Sequence, residues 1–209
     1  MAFHFRNLVF RTHELVYPPA EDSVLLASNL DVGKGDHMLD VGTGTGIQAI
    51  VASSRAEKVL AVDINPAALK IAEENAILNN AKNVEFRASD LFSRIKEGER
   101  FDLIVFNPPY LPGSEDDILG KSWAGGCRGR EVIDRFLDSV PKHLREGGRF
   151  ELLVSSLNDL ESVGEKFKEK GFTSRVVAKE KLWFEELYVI LATKQAGYKK
   201  AFIDDGGNR

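Results

Sequence analysis

Asn107-Pro108-Pro109-Tyr110 follows directly on the apolar run Phe101-Asp102-Leu103-Ile104-Val105-Phe106. The tetrapeptide reads as a chemical device. A strand delivers an Asn side chain and a proline carbonyl to the end of a sheet, and both oxygens can accept hydrogen bonds from one flat NH2 group. Two consecutive prolines hold φ and remove two backbone donors, which leaves bare acceptors at a rigid turn. Tyr110 adds a face on which a planar group can stack. Such a turn suits the capture of a weak, conjugated nitrogen nucleophile. Asn107, Pro108, Pro109 and Tyr110 are the candidate catalytic residues.

Other groups fit a nucleoside cofactor. Asp40-Val41-Gly42-Thr43-Gly44-Thr45-Gly46 lies between a predicted strand and a predicted helix, where glycines allow positive φ and close approach of backbone to ligand. The spacing is G-x-G-x-G; the dinucleotide fingerprint needs glycine at position 47, where Ile47 stands. Read alone, the loop is compatible with a plain turn. Asp63, at the tip of the next strand, can accept from both ribose hydroxyls; alone, it would serve equally as a cap before Pro66. In Ala88-Ser89-Asp90-Leu91, Asp90 is placed to accept from an adenine amino group and Leu91 to cover the ring; alone, Asp90 reads as a solvated loop residue. Asp40, Asp63, Asp90 and Asn107 all fall at strand ends, where open α/β sheets bind ligands. In Tyr17-Pro18-Pro19-Ala20-Glu21-Asp22-Ser23, a helix start accounts in part for Glu21 and Asp22 but poorly for Tyr17 and Ser23. Trp123 to Glu131, with glycines beside a Trp and two Arg, reads either as a flexible loop or as a lid that contacts substrate.

The elements that must position these groups alternate. Strands are predicted at His37–Val41, Lys58–Val62, Val84–Ala88, Phe101–Phe106, Arg149–Val154, Thr173–Lys179 and Glu186–Thr193. Helices are predicted at Glu21–Leu30, Ile47–Ser53, Pro66–Leu78, Glu131–Leu144 (kinked or split at Pro141, ended by Gly147-Gly148) and Asp159–Lys170 (closed by Gly171). The start of the chain reads as polar, and Leu111 to Gly129 as a long surface loop. Alternating strands and helices imply a mostly parallel sheet with helices on both faces. The connection between the last two strands is too short for a crossover helix, so that pair is expected to be antiparallel. This finish departs from a dinucleotide-binding Rossmann domain and matches the Rossmann-like architecture of class I methyltransferases that use S-adenosylmethionine (SAM).

Composition excludes several classes. The chain has 209 residues, 43% hydrophobic and 29% charged, which fits one globular domain. One cysteine, Cys127, excludes a disulfide framework and a cysteine-rich zinc site, and no His neighbours it in sequence to activate it. His4, His13, His37 and His143 are scattered without metal-ligand spacing, so no metal is expected. No apolar run approaches the roughly 20 residues that span a bilayer, and the start lacks a signal peptide's pattern, so the expected compartment is the cytoplasm. The net charge of −4 argues against a duplex-binding domain.

On these residues the chain resembles the HemK-like methyltransferases, in the eukaryotic and archaeal branch that modifies class I translation termination factors. The resemblance runs over about residues 16 to 193. It rests on Val16 to Ser23, the Asp40–Gly46 loop, Val62-Asp63-Ile64-Asn65-Pro66, Asn107 to Tyr110, and Trp123-Ala124-Gly125-Gly126 through Gly129-Arg130-Glu131. The chain departs at Asp40, where relatives can carry Glu, and at Cys127.

The resemblance implies a seven-stranded, mostly parallel sheet with an antiparallel last strand. Residues 1–20 would be a segment packing near the cofactor site, 21–194 the methyltransferase domain and 195–209 a polar tail. It implies SAM as cofactor, S-adenosylhomocysteine as its product, and cofactor contacts at Ser23, Asp40, Gly42, Gly44, Asp63, Asp90, Leu91 and Asn107. The substrate it implies is the glutamine of a Gly-Gly-Gln loop on a class I release factor, methylated at the side-chain amide nitrogen. Some relatives work with a small zinc-binding activator subunit. The competing reading is a nucleic-acid methyltransferase acting on an exocyclic base amine, which is equally flat and conjugated; a non-catalytic SAM-binding scaffold is a further one.

Overall fold

The computed structural model describes residues 2–110 and 130–195. The loop from Leu111 to Gly129, with Cys127 and the Trp123 stretch, lies outside the described residues, as does the tail beyond Gln195.

Seven strands form the central sheet: β3 (His37–Val41), β4 (Lys58–Asp63), β5 (Val84–Ala88), β6 (Phe101–Phe106), β7 (Leu144–Ser155), β8 (Phe172–Lys181) and β9 (Glu186–Lys194), in the order β5-β4-β3-β6-β7-β9-β8. Strands β5, β4, β3, β6 and β7 run parallel, and β9 is antiparallel to both β7 and β8. Strands β3 and β6 are buried on both faces, which is why Met38-Leu39-Asp40-Val41 and Leu103-Ile104-Val105-Phe106 read as nearly continuous apolar runs. At β3 the chain order reverses: β4 and β5 lie to one side, β6 and β7 to the other. Asp40, beside this switch point, faces Val105 across the β3–β6 ladder.

Among the described residues, five α-helices cover the sheet. On one face, α1 (Glu21–Ser28) and α2 (Ile47–Ser53) pack Leu25, Leu26, Ala49 and Ala52 on the strands. There α3 (Pro66–Leu78) joins them, Ala76 clustering with Ile47 and Ile50. On the other face, α4 (Glu131–Ser139) and α5 (Leu160–Glu169) bury Ile133, Phe136, Leu137, Val163 and Phe167. Pro66 opens α3 where its missing N–H costs nothing, and Asn65 caps it by accepting from Ala67 N at 2.9 Å. The cap is thus Asn65, and Asp63 is left for other work.

Several boundaries differ from the sequence reading. α1 stops at Ser28, two residues early, where Asn29 turns out of the helix and donates from Nδ2 to the Leu25 carbonyl. α4 stops at Ser139 and Pro141 lies in a 3-10 turn, Val140–Lys142, because proline cannot continue the α-helical ladder. The Gly147-Gly148 pair sits inside β7, in the excess residues where its pairing with β6 slips register, and so does not end a helix.

The polar start of the chain, to which the sequence reading assigned no element, carries two strands. β1 (Ala2–Phe5) and β2 (Leu8–Arg11) form an antiparallel hairpin. Its outer edge is met by a helix: Val9 N donates to Asn79 Oδ1 at 2.9 Å and Arg11 N to Asn75 Oδ1 at 2.7 Å. The same amides return Nδ2 bonds to the Val9 and Arg11 carbonyls. One helical turn, about 6 Å between i and i+4, matches two residues of strand at about 3.4 Å each, so two Asn side chains substitute for a third strand.

Candidate active site

The sheet's carboxyl edge brings the candidate groups together. Asp40 and Asp63 end adjacent parallel strands, Ser89 follows β5, and Asn107 follows β6. Asp63 Oδ2 accepts from Gly44 N at 2.9 Å, and its Oδ1 from Asn65 N at 2.8 Å. The Asp63 carboxylate therefore shapes the glycine loop while keeping lone-pair capacity for a further donor. Burial pushes its carboxyl up, opposed by backbone donation from Asn65, Gly44 and Ile64.

Asp40 Oδ2 accepts from Thr43 Oγ1 at 2.6 Å and from Ala49 N at 3.2 Å. It is buried, and burial pushes its carboxyl up to about 7 against those bonds. An ammonium group beside it would favour the ionised form. Within the loop, Gly44 has φ +54, and a Cβ built there meets nothing within 4 Å. The backbone at Gly44 thus borders open space, as a loop that takes a ligand against its amides must. Gly46, at φ +85, is different: a Cβ there would stand 3.1 Å from the Ala72 Cβ, so it is a packing glycine between α2 and α3.

Asp90 is half exposed and paired with Arg135 Nη2 at 2.6 Å, a contact the local sequence pattern did not suggest. Leu91 next to it holds φ 48, a left-handed conformation unusual for Leu, stabilised by the Ser89 hydroxyl donating to its carbonyl at 2.8 Å.

At the Asn-Pro-Pro-Tyr turn the side-chain amide of Asn107 is oriented from outside. Nδ2 donates to Asp22 Oδ2 at 3.0 Å, across 85 residues. Asp22 is only 3% exposed. Its other oxygen accepts from Ser23 N at 2.6 Å, Ser23 Oγ at 3.1 Å and the Tyr17 hydroxyl at 3.4 Å. An ionised carboxylate only accepts, so it draws the NH2 edge of Asn107 toward itself and turns Oδ1 the other way. That Oδ1 is buried and has no hydrogen-bond partner among the described residues. A buried carbonyl oxygen without a donor is costly to maintain, and such sites call for an explanation. Burial is the main reason the Asp22 carboxyl is pushed up; the Asn107 bond opposes it.

Tyr110 is buried in the same apolar cluster as Leu153 and Leu187. Its carbonyl accepts from Asn158 Nδ2 at 2.8 Å, and Asn158 Oδ1 accepts from Ser155 N at 2.8 Å. The end of β7 therefore braces the turn. Burial first, and then the Asp22 charge, keep the phenols of Tyr110 and Tyr17 from ionising. Sequence reasoning missed Asp22 and Asn158 as parts of this site. The stretch Tyr17 to Ser23 held the only hint for Asp22, since a helix start left Tyr17 and Ser23 unexplained. Among the described residues, no cluster of His, Cys, Asp and Glu is placed to hold a metal, and no helix is long and apolar enough to cross a membrane.

Comparison with known proteins places this arrangement. The family described as methyltransferase small domain matches residues 9–183. A provisionally assigned protein N5-glutamine methyltransferase of Methanocaldococcus jannaschii is 43% identical over 197 residues, covering 92% of this chain and 98% of that one. Methyltransferase HEMK2 of Homo sapiens is 33% identical over 193 residues, 86% of this chain and 90% of its own. Among solved structures, the E. cuniculi Mtq2–Trm112 complex, responsible for methylation of the eRF1 translation termination factor, contains a similar chain. It aligns with TM-score 0.71 and 31% identity over 87% of this chain and 99% of that one. The chain thus belongs to the methyltransferase small domain family, in its HemK-like branch.

Proposed function

We propose that this enzyme transfers a methyl group from SAM to the side-chain amide nitrogen of the glutamine in the Gly-Gly-Gln loop of a class I release factor. The observation that carries this reading is the Asn107 amide, with Nδ2 tied to Asp22 and Oδ1 buried and unpartnered among the described residues. An amide nitrogen is a poor nucleophile because its lone pair is delocalised into the carbonyl. Asn107 Oδ1 and the Pro108 carbonyl accept the two N–H bonds of the incoming NH2, localise density on nitrogen and aim it. SAM, when bound, supplies a methyl carbon activated by the sulfonium. Held by those two acceptors, the substrate nitrogen would take that methyl with the thioether as leaving group, its S–C electron pair staying on sulfur, and release one proton to solvent. Holding the two partners in line contributes up to roughly 7–11 kcal/mol in the best intramolecular cases, and acceptors already aimed at developing charge add to it.

Ser23, Asp40, Gly42, Gly44, Asp63, Asp90 and Leu91 are proposed to hold the cofactor. Asp40 would face its ammonium, Asp63 its ribose, and Asp90 and Leu91 its adenine. The open space at Gly44 and the remaining acceptor capacity of Asp63 support the fit. Asn107 through Tyr110 are proposed to hold the substrate, and residues 2–20 to pack beside the cofactor. The likeness to a chain solved with a small subunit supports a small partner here, which the HemK-like resemblance makes a zinc-binding one. The enzyme is proposed to work in the cytoplasm.

The test is mass spectrometry of a class I release factor incubated with this protein and SAM, with tRNA, rRNA and DNA in parallel. The expected product is the Gln peptide heavier by one CH2, absent with Asn107→Ala, whose SAM affinity stays near that of the wild type. Label on nucleic acid alone would overturn the proposal.

A further inference from the structure

We infer that the turn between β8 and β9 is a docking post for the protein that presents the glutamine, contacting it through Trp183 and Phe184. This rests on the function proposed above. The turn, Leu182-Trp183-Phe184-Glu185, is closed by Leu182 N donating to the Glu185 carbonyl at 2.8 Å, just beyond the Lys181–Glu186 pair. Hairpin turns favour Gly, Asn, Asp and Pro. This one has none, and carries two large aromatic side chains that are 92% and 86% exposed. Their rings stand edge to face, 5.7 Å apart at 73°, and make an angled apolar notch. With roughly 150–250 Å² to bury per ring, the pair rivals the largest apolar patch usual on a monomer. Aromatic residues placed against local turn chemistry and left in water are expected where binding selects them.

The turn is rigidly joined to the active site. Leu182 packs against the core, and Glu185 accepts a hydrogen bond from the Ser155 hydroxyl. Ser155 N donates to Asn158, and Asn158 in turn holds the Tyr110 carbonyl. Glu185 also lies close enough to Tyr17 and Tyr110 for its charge to bear on both phenols. A short chain of bonded residues thus links the tip to the Asn-Pro-Pro-Tyr turn. A glutamine carried on a folded protein can reach Asn107 only if its flanking surface rests on the rim, and the aromatic tip stands on that rim. A preformed apolar anchor there costs little ordering on binding. The occupant is therefore an apolar patch beside the glutamine loop. Nucleic acid fits less well: Glu180, Glu185 and Glu186 against Lys179 and Lys181 leave no basic excess for phosphates.

The test uses the full chain with Trp183→Ala and Phe184→Ala together. The expected result is a KM for intact release factor raised roughly 10–100-fold, with kcat, SAM affinity and turnover of a short Gly-Gly-Gln peptide unchanged. Trp183→Phe with Phe184→Tyr should recover most of the affinity. In a Trp123→Phe background, emission from Trp183 should shift to the blue when release factor is added. A KM within twofold of wild type, or emission that responds to tRNA and not to release factor, overturns the inference. If wild type fails to methylate release factor at all, the proposed function fails and this inference falls with it; an active wild type beside an equally active double variant defeats the inference alone.

Discussion

Replacing Asp22 by Ala should slow methyl transfer while largely sparing SAM binding. Asp22 is almost fully buried, and its Oδ2 lies 3.0 Å from Asn107 Nδ2. Hydrogen bonds to charged groups are worth about 1.5–3 kcal/mol net. At about 1.4 kcal/mol per tenfold, loss of Asn107 positioning predicts a kcat lower by about 10–150-fold. Asp22→Asn keeps an acceptor oxygen but loses the charge, which about halves the bond; a loss of about 4–13-fold is expected. Because burial raises the Asp22 carboxyl above the usual range, kcat of the wild type should also fall as pH drops through that raised value. There the carboxyl gains a proton and no longer insists on the NH2 edge of Asn107. Asp22→Asn should lack this acid limb. Initial rates with tritiated SAM at saturating release factor, followed across the acid range, read both effects, and calorimetric titration reads the cofactor. An Asp22→Ala enzyme with kcat within twofold of wild type would sink the reasoning. So would one whose entire loss appears as SAM affinity.

Asp63→Ala removes acceptors for Gly44 N and Asn65 N as well as the proposed ribose contact; SAM affinity should weaken by about 10–100-fold, and an unchanged calorimetric titration would refute the assignment. Glu151 is fully buried, among the described residues accepts only from Asp31 N at 3.0 Å with one oxygen, and burial pushes its carboxyl up to about 8. A carboxyl raised in the native state binds its proton more tightly folded than unfolded, so it erodes stability as pH rises from about 4.5 to about 8 and has no further effect above that. Asp40 acts with the same sign up to about 7. Glu151→Gln keeps an acceptor for Asp31 N and cannot titrate. Its melting temperature should gain on the wild type steadily across that window, and a gap that shrinks with rising pH would contradict the account.

The centre of the sheet was legible because β3, β4 and β6 are buried on both faces and punctuated by strong local signals. Pro66 opens α3 and Gly171 follows α5 where the sequence reading put them. What escaped depends on partners remote in sequence. Four-residue strands with Arg6 in the left-handed region, and no glycine at the turn, give the N-terminal hairpin no local signature. Asp22 reads as an ordinary acidic residue of a first helical turn until folding brings Asn107 beside it. Asn158 sits in a short 3-10 turn after β7 that no periodicity announces. The candidate groups on single strand ends could be named one by one, but their mutual support could not. Asp63 bonding the Gly44 amide, Arg135 pairing Asp90 and Asn158 bracing Tyr110 are all products of packing.

The two amides that grip Val9 and Arg11, Asn75 on α3 and Asn79 at its C-cap, have a consequence for self-association. A bare strand margin is a template for another chain. Here the donors and acceptors of β2 are already consumed by side chains fixed on a rigid cylinder, so no visiting strand can add to that margin without first evicting Asn75 and Asn79. That margin of the hairpin is thereby closed to stacking by its own chain, with no proline or bulge needed there.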